Sequence, residues 1–197
     1  ISSEAATKCR EYGLQILSYL FLEDPVIDTF IVSDERTLPA VCTCMNDDNV
    51  EVRRLASQIL DFCSILEANR SMVCCAEGVL DALVKAMSDP SPEVRHHLLR
   101  AMVYLAENTQ NTFSMTRYPG LLPMLVDCLT GDESARQTGL QVLNFMVVSK
   151  ENQLPIAQCD GLVITLVKLL EIQDESLRSM AKSVLSTLSQ NPACRAF

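Results

Sequence analysis

The strongest signal in the chain is an apolar pattern of helical period that recurs five times. A small or apolar residue is followed by apolar residues three, four and seven positions on: Gly13-Ile16-Leu17-Leu20, Ala56-Ile59-Leu60-Cys63, Leu98-Ala101-Met102-Leu105, Gly139-Val142-Leu143-Met146 and Ala181-Val184-Leu185-Leu188. This spacing lines one face of an α-helix and predicts five long amphipathic helices, with a small leading residue that lets a neighbour approach closely. Four of them also have a start signal. Asn49, Ser91, Asp132 and Asp174 succeed one another at intervals of 42, 41 and 42 residues, and each is a residue type whose side-chain oxygen caps a helix N-terminus by accepting a backbone N–H.

The same period governs the segments between the long helices. Gly78, Gly120 and Gly161 precede the apolar runs VLDALVKAM, LLPMLVDCL and LVITLVKLL, and LPAVCTCM from Leu38 takes the same place without a glycine. The stretches from Asn69, Asn111 and Asn152 to these three glycines have the length of a short helix closed by a C-terminal Gly. Short helix, medium helix, polar turn and long helix thus repeat at about 42 residues. Period-two alternation is nowhere sustained, so the class is all-α.

This plan resembles the armadillo-repeat superfamily over essentially the whole chain, in the Asn-to-Gly segments with their apolar runs and in the Val-Arg segments that begin at Val52 and Val94. The HEAT repeat has a similar period but two helices; the short segment before each glycine favours armadillo. The resemblance implies a right-handed superhelical solenoid in one domain, with about five repeats near 1–35, 36–78, 79–120, 121–161 and 162–197, the terminal ones incomplete. The chain opens at Ile1 without Met and is read as a fragment of a longer protein. Without polar capping repeats its ends are expected to expose apolar surface and to support end-to-end self-association.

In the resembling fold the third helices line a concave groove. Counted from the small leading residue, the third and seventh positions of each long helix face it. The third positions are Gln15, Gln58, Arg100, Gln141 and Ser183; the seventh are Tyr19, Phe62, Tyr104, Phe145 and Thr187. Four successive repeats therefore place a polar residue and an aromatic one turn apart. Importin-α-like armadillo proteins carry Trp and Asn there and bind extended basic peptides. Here both are replaced, so that recognition is not carried over. Gln15, Tyr19, Gln58, Phe62, Arg100, Tyr104, Gln141 and Phe145 are the candidate partner-binding residues. One reading makes the aromatics a stripe that receives apolar side chains of a bound segment while the glutamines bond its backbone. The other makes them spacers at the core's edge.

Two further features need a reading. Arg10, Arg53, Arg95, Arg136 and Arg178 stand three residues before each leading position, with Glu51, Glu93, Glu133 and Glu175 close by. A stripe for an acidic partner is one reading, and a ladder pairing with carboxylates of the neighbouring turn is the other and better one, since nearby acids leave little net positive charge. His96 and His97 are the only histidines. Adjacent residues on a helix point about 100° apart, so they cannot share a metal in the i, i+4 manner and read as a surface or inter-repeat pair.

Composition narrows the function. A net charge of −9 removes the general attraction to phosphate backbones and disfavours a nucleic-acid partner. No apolar stretch approaches 18 residues, so no segment is expected to insert into a membrane. The nine cysteines lack zinc spacing and read as small apolar residues of a reducing, cytoplasmic compartment. No phosphate-binding loop, nucleophile elbow or metalloprotease motif occurs, so no catalytic residue, metal or cofactor is assigned. The expected function is a non-enzymatic adaptor holding a peptide or helix of a partner protein. The rival readings are a lipid-anchored organelle-positioning scaffold, attached peripherally through a region outside this chain, an importin-α-like transport adaptor, and an Hsp70 nucleotide-exchange cofactor.

Overall fold

A computed structural model describes residues 3–21, 25–85, 88–195 and 197. The chain forms two compact units, Ile1–Leu105 and Ala106–Phe197. Among the described residues both contain helices and no strand.

The first unit contains α1 (Ser3–Leu20), α2 (Pro25–Ser33), α3 (Thr37–Cys44), α4 (Val50–Ile65), a 3-10 turn (Glu67–Asn69), α5 (Arg70–Cys75), α6 (Val79–Lys85) and α7 (Pro92–Glu107), whose last residues lie past the division. Helices of the same kind stack on each other: α1 on α4, α2 on α5 and α3 on α6. The second unit repeats the arrangement with α8 (Thr109–Arg117), α9 (Leu121–Thr130), α10 (Glu133–Met146), α11 (Lys150–Gln158), α12 (Leu162–Leu169), α13 (Glu175–Gln190) and a closing 3-10 turn (Pro192–Cys194). There α8 packs on α11, α9 on α12 and α10 on α13. Stacking like on like is what a repeat with one apolar face requires, because each copy completes the core of its neighbour.

The start and stop signals act as their chemistry predicts. Asn49 accepts from the Glu51 amide at 2.8 Å, Asp132 from Ala135 at 2.9 Å and Asp174 from Leu177 at 2.9 Å, while Ser91 reaches Val94 at a longer 3.5 Å. Gly78, Gly120 and Gly161 have φ of 84°, 85° and 78°, the left-handed region that only glycine enters without strain. The run from Leu38, which lacks the glycine, starts instead from Arg36 at φ −92°.

The apolar stripes of α4, α7, α10 and α13 are buried except for a half-buried Leu185, and Ile59, Leu60, Met102, Leu105, Val142 and Leu143 are fully enclosed. Gly139 explains the small leading residue: a Cβ there would stand 3.0 Å from Cys128 Cβ on α9. The first stripe departs from expectation. Gly13, Ile16 and Leu20 are exposed, Ile16 at 61%, and the buried residues are Leu14 on α1 and Phe21 just past its end. Apart from the backbone of its own helix, no described atom lies within 4 Å of a Cβ built on Gly13, so no neighbouring helix plays there the part that α9 plays at Gly139. With Tyr12 at 60% and Tyr19 at 71%, α1 therefore presents an uncovered apolar face.

One element of the fold carries no periodic signal, and one periodic marker proves to have a structural task. Helix α2 falls in the stretch assigned above to the end of the first repeat and has neither the Asn nor the Gly marker. Asn152, buried, ties helices together: its amide donates to Met146 O at 3.2 Å and Thr112 Oγ1 at 3.0 Å, and its carbonyl oxygen accepts from Arg117 at 3.0 Å.

The cysteines in the described residues are all free thiols. Cys42, Cys63, Cys74 and Cys128 sit in the core, where burial pushes the thiols of Cys42, Cys74 and Cys128 up to about 12 and Cys63 upward as well. Alkylation of the native protein near pH 8 is expected to modify the exposed Cys9 and Cys75 first and leave these four until denaturant is added. Peptide mapping of the labelled protein checks this, and early modification of Cys63 would contradict the packing.

Candidate functional site

The candidate groove residues occupy the flank of each long helix, beside the buried stripe. In the first unit Gln15, Gln58, Phe62, Arg100 and Tyr104 are half-buried and Tyr19 is exposed. In the second unit Gln141 and Phe145 are half-buried, while Ser183 is exposed and Thr187 half-buried. None of these side chains belongs to the core, although each stands one or two positions from a residue that does, such as Leu60 beside Gln58 and Val142 beside Gln141. The helix period produces this contrast: moving one residue along the chain rotates the side chain by about 100° and takes it off the apolar stripe.

The first unit adds a polar network at this flank. Asp61 on α4 is completely buried, and its Oδ2 lies 2.9 Å from His97 Nδ1 and 3.4 Å from Arg100 Nη1, both on α7. Its Oδ1 has no hydrogen-bond partner among the described residues. Arg100 is 41% exposed at its side chain and reaches the Tyr104 hydroxyl at 3.5 Å. The Tyr104 ring has two guanidinium groups near it, Arg70 at 5.8 Å and Arg100 at 6.0 Å, within the range of attraction between a cation and the ring face. Arg70 is fixed by bonds to Ser64 O and Ile65 O at the end of α4. One turn ahead of Gln58, Arg54 donates to Gln58 Oε1 at 3.3 Å and grips Glu51 with bonds of 2.8 and 2.6 Å. Those bonds hold the Glu51 carboxyl below its usual range and raise the Arg54 guanidinium.

The sequence pattern singles out His97 and Arg100 but not Asp61, Arg70 or Arg54. A signal for Asp61 exists in the periodicity: at its position the other long helices carry Ser18, Val103, Asn144 and Ser186, so it is the only carboxylate in the column. In the second unit Asn144, at that same position, donates to Leu140 O at 2.9 Å and Met180 O at 3.4 Å. The two histidines meet edge to face at 5.7 Å, and His97 makes the inter-helix contact.

The arginine column has its donors turned onto the polar turns. Arg10 pairs with Asp47 at 2.7 Å, and Arg53 pairs with Asp89 at 2.9 Å while also donating to Asp47 O and Asp48 O. Arg95 donates to Asp89 O and Pro90 O, Arg136 to Asp132 O, and Arg178 to Ile172 O. These arginines fasten turns and, at Arg10 and Arg53, join one repeat to the next. The carboxylates engaged there are the aspartates of the turns; Glu51 pairs with Arg54 instead.

No protein-family model matches the chain, and no curated protein matches it. The structure is similar to computationally designed armadillo repeat proteins for modular peptide recognition, with a TM-score of 0.79 at 17% identity over 95% of this chain and 77% of that one. A designed armadillo repeat protein in complex with the peptide (KR)4 gives a TM-score of 0.76 at 16% identity, again over 95% of this chain and 77% of that one. The armadillo repeats only protein from Plasmodium falciparum gives 0.73 at 11% identity, over 90% of this chain and 79% of that one. Identities this low speak to architecture alone. Capped long helices, left-handed glycines, like-on-like stacking and these likenesses agree: the chain has the armadillo-repeat fold.

Proposed function

We propose that this chain is a non-enzymatic protein-binding scaffold that holds an extended or helical segment of a partner protein along the flank of its long helices. The observation that carries the reading is the periodic pairing of a polar and an aromatic side chain, Gln15 with Tyr19, Gln58 with Phe62, Arg100 with Tyr104 and Gln141 with Phe145, all held outside the core. Half-buried aromatics on rigid helices offer contact area with little side-chain entropy left to lose, and adjacent amide groups can bond a partner's backbone. Among proteins with this architecture, some are designed for modular peptide recognition and one is in complex with the peptide (KR)4, which supports peptide binding as the function of this chain too.

The test is affinity capture with the wild type beside a variant carrying Tyr19→Ala, Phe62→Ala, Tyr104→Ala and Phe145→Ala. Because none of the four is in the core, the variant is expected to keep the helical circular-dichroism signal and a cooperative melt while losing the partner that the wild type retains. A variant that stays folded and keeps every partner places binding on another surface. One that loses its cooperative melt makes the aromatics part of the packing instead.

A further inference from the structure

We propose that the α4–α7 portion of this flank is a carboxylate-receiving site, with Arg100 as its anchor, so that the segment bound there carries Asp or Glu. The inference rests on the long-helix flank being the binding surface and adds the chemistry of its occupant. Three observations converge. The other half-buried third positions, Gln15, Gln58 and Gln141, are uncharged amides, and Arg100 alone among them brings a full positive charge. The charge is held in place: Asp61, completely buried, lies 3.4 Å from Arg100 Nη1, and the Tyr104 hydroxyl lies 3.5 Å from Nη2. The layering is one-sided, since the Asp61 side chain lies underneath at 0% exposure and the Arg100 side chain is 41% exposed.

The surroundings favour an anion over a cation. Arg70 brings a second guanidinium to the Tyr104 ring, and His96, one turn before Arg100, and Arg54, one turn before Gln58, occupy corresponding positions on α7 and α4. Glu51 grips Arg54 at 2.6 Å and the exposed Glu93 stands 3.9 Å from it, so Arg54 adds little positive charge beside Gln58. Glu11 holds the same place on α1 and is the only carboxylate in that column of this unit. A guanidinium has five donors in a planar fork suited to a carboxylate, and two contacts at 3.4 and 3.5 Å leave donors for a second one. Asp61 is a positioning residue here, because its buried charge makes it costly for Arg100 to leave.

The test uses fluorescent peptides of alternating Glu and Leu, their Gln-Leu isosteres and Lys-Leu counterparts, titrated by anisotropy against the wild type, R100Q and the four-aromatic variant. R100Q installs the residue that Gln58 and Gln141 already represent in equivalent positions. Because it takes the cation from the buried Asp61, it is paired with the double variant D61N/R100Q, which removes both charges and places at 61 the residue that Asn144 represents on α10. Circular dichroism checks that both stay folded. The expected result is that the wild type prefers the Glu peptide to its Gln isostere by about tenfold, that added salt narrows the gap, and that R100Q erases it. Equal binding of the two peptides, preference for the Lys peptide, or a gap that survives in R100Q overturns the proposal. If the gap is absent but the aromatic variant loses both peptides, the binding flank stands and the carboxylate site falls. If the gap depends on Arg100 but the aromatic variant keeps both peptides, the carboxylate site stands and the aromatic stripe falls. No binding by any peptide overturns both.

Discussion

Leu143→Ala is expected to destabilise the protein by about 3 kcal/mol, a large share of the ~5–15 kcal/mol that holds a typical domain folded. Leu143 is completely buried in the stripe of α10, the helix that packs against α8, α9 and α13. Removing its terminal carbons loses their transfer free energy and leaves a cavity, because neighbours on rigid helices relax only in part. Val148, two residues past the end of the same helix, is 66% exposed, and Val148→Ala is expected to change stability by under about 0.5 kcal/mol. Urea unfolding of the two variants measures the contrast. Equal small losses would mean that the α10 stripe collapses freely around a missing side chain and is not a close-packed core.

The second large effect belongs to a backbone position. Gly78→Ala is expected to cost about 3 kcal/mol, combining about 1–2 kcal/mol for a side chain in the left-handed region with the overpacking of a tight contact. Gly78 has φ +84°, and a Cβ placed on it would lie 2.9 Å from Cys42 Cβ on α3, a distance that obliges something to move. Gly161→Ala provides the control: its φ of +78° imposes the same conformational cost, but the nearest atom, Val126 Cγ1, stands 3.7 Å away in ordinary contact. The difference between the two substitutions isolates the steric part, and thermal or urea unfolding reads it. Should Gly161→Ala prove as costly as Gly78→Ala, the α3 contact would contribute nothing, and both losses would be conformational.

Much of this architecture was legible along the chain because its signals are local. Asn49, Asp132 and Asp174 cap helices that begin immediately after them, since an N-cap needs only a side-chain oxygen within reach of amides two or three residues on. Gly120 and Gly161 end short helices for an equally local reason, the left-handed φ that a reversal of direction requires. Helix α2 was not legible, because Pro25–Ser33 carries neither marker and its place is set by stacking on α5. The open face of α1 was hidden for the opposite reason. Its stripe has the same period as the others, and burial depends on which helix comes to lie against it.

The candidate site divides along the same line. Its periodic members, Gln58 and Phe62 or Arg100 and Tyr104, follow from helix geometry, which fixes any residues three or four apart to one face. Asp61 and Arg100 are 39 positions apart, and Arg70 and Tyr104 are 34 apart, so no window of one helix relates them. The sequence by itself determined the all-α class, the repeat period, the caps, the turns and the flank on which polar and aromatic residues alternate. Only the tertiary structure decided which stripes are buried, that the arginine column fastens turns, and that a buried carboxylate on α4 holds a guanidinium on α7. The physical reason is range: capping and helical periodicity act within one or two turns of chain, whereas burial and ion pairing act through space between segments that stacking alone brings together.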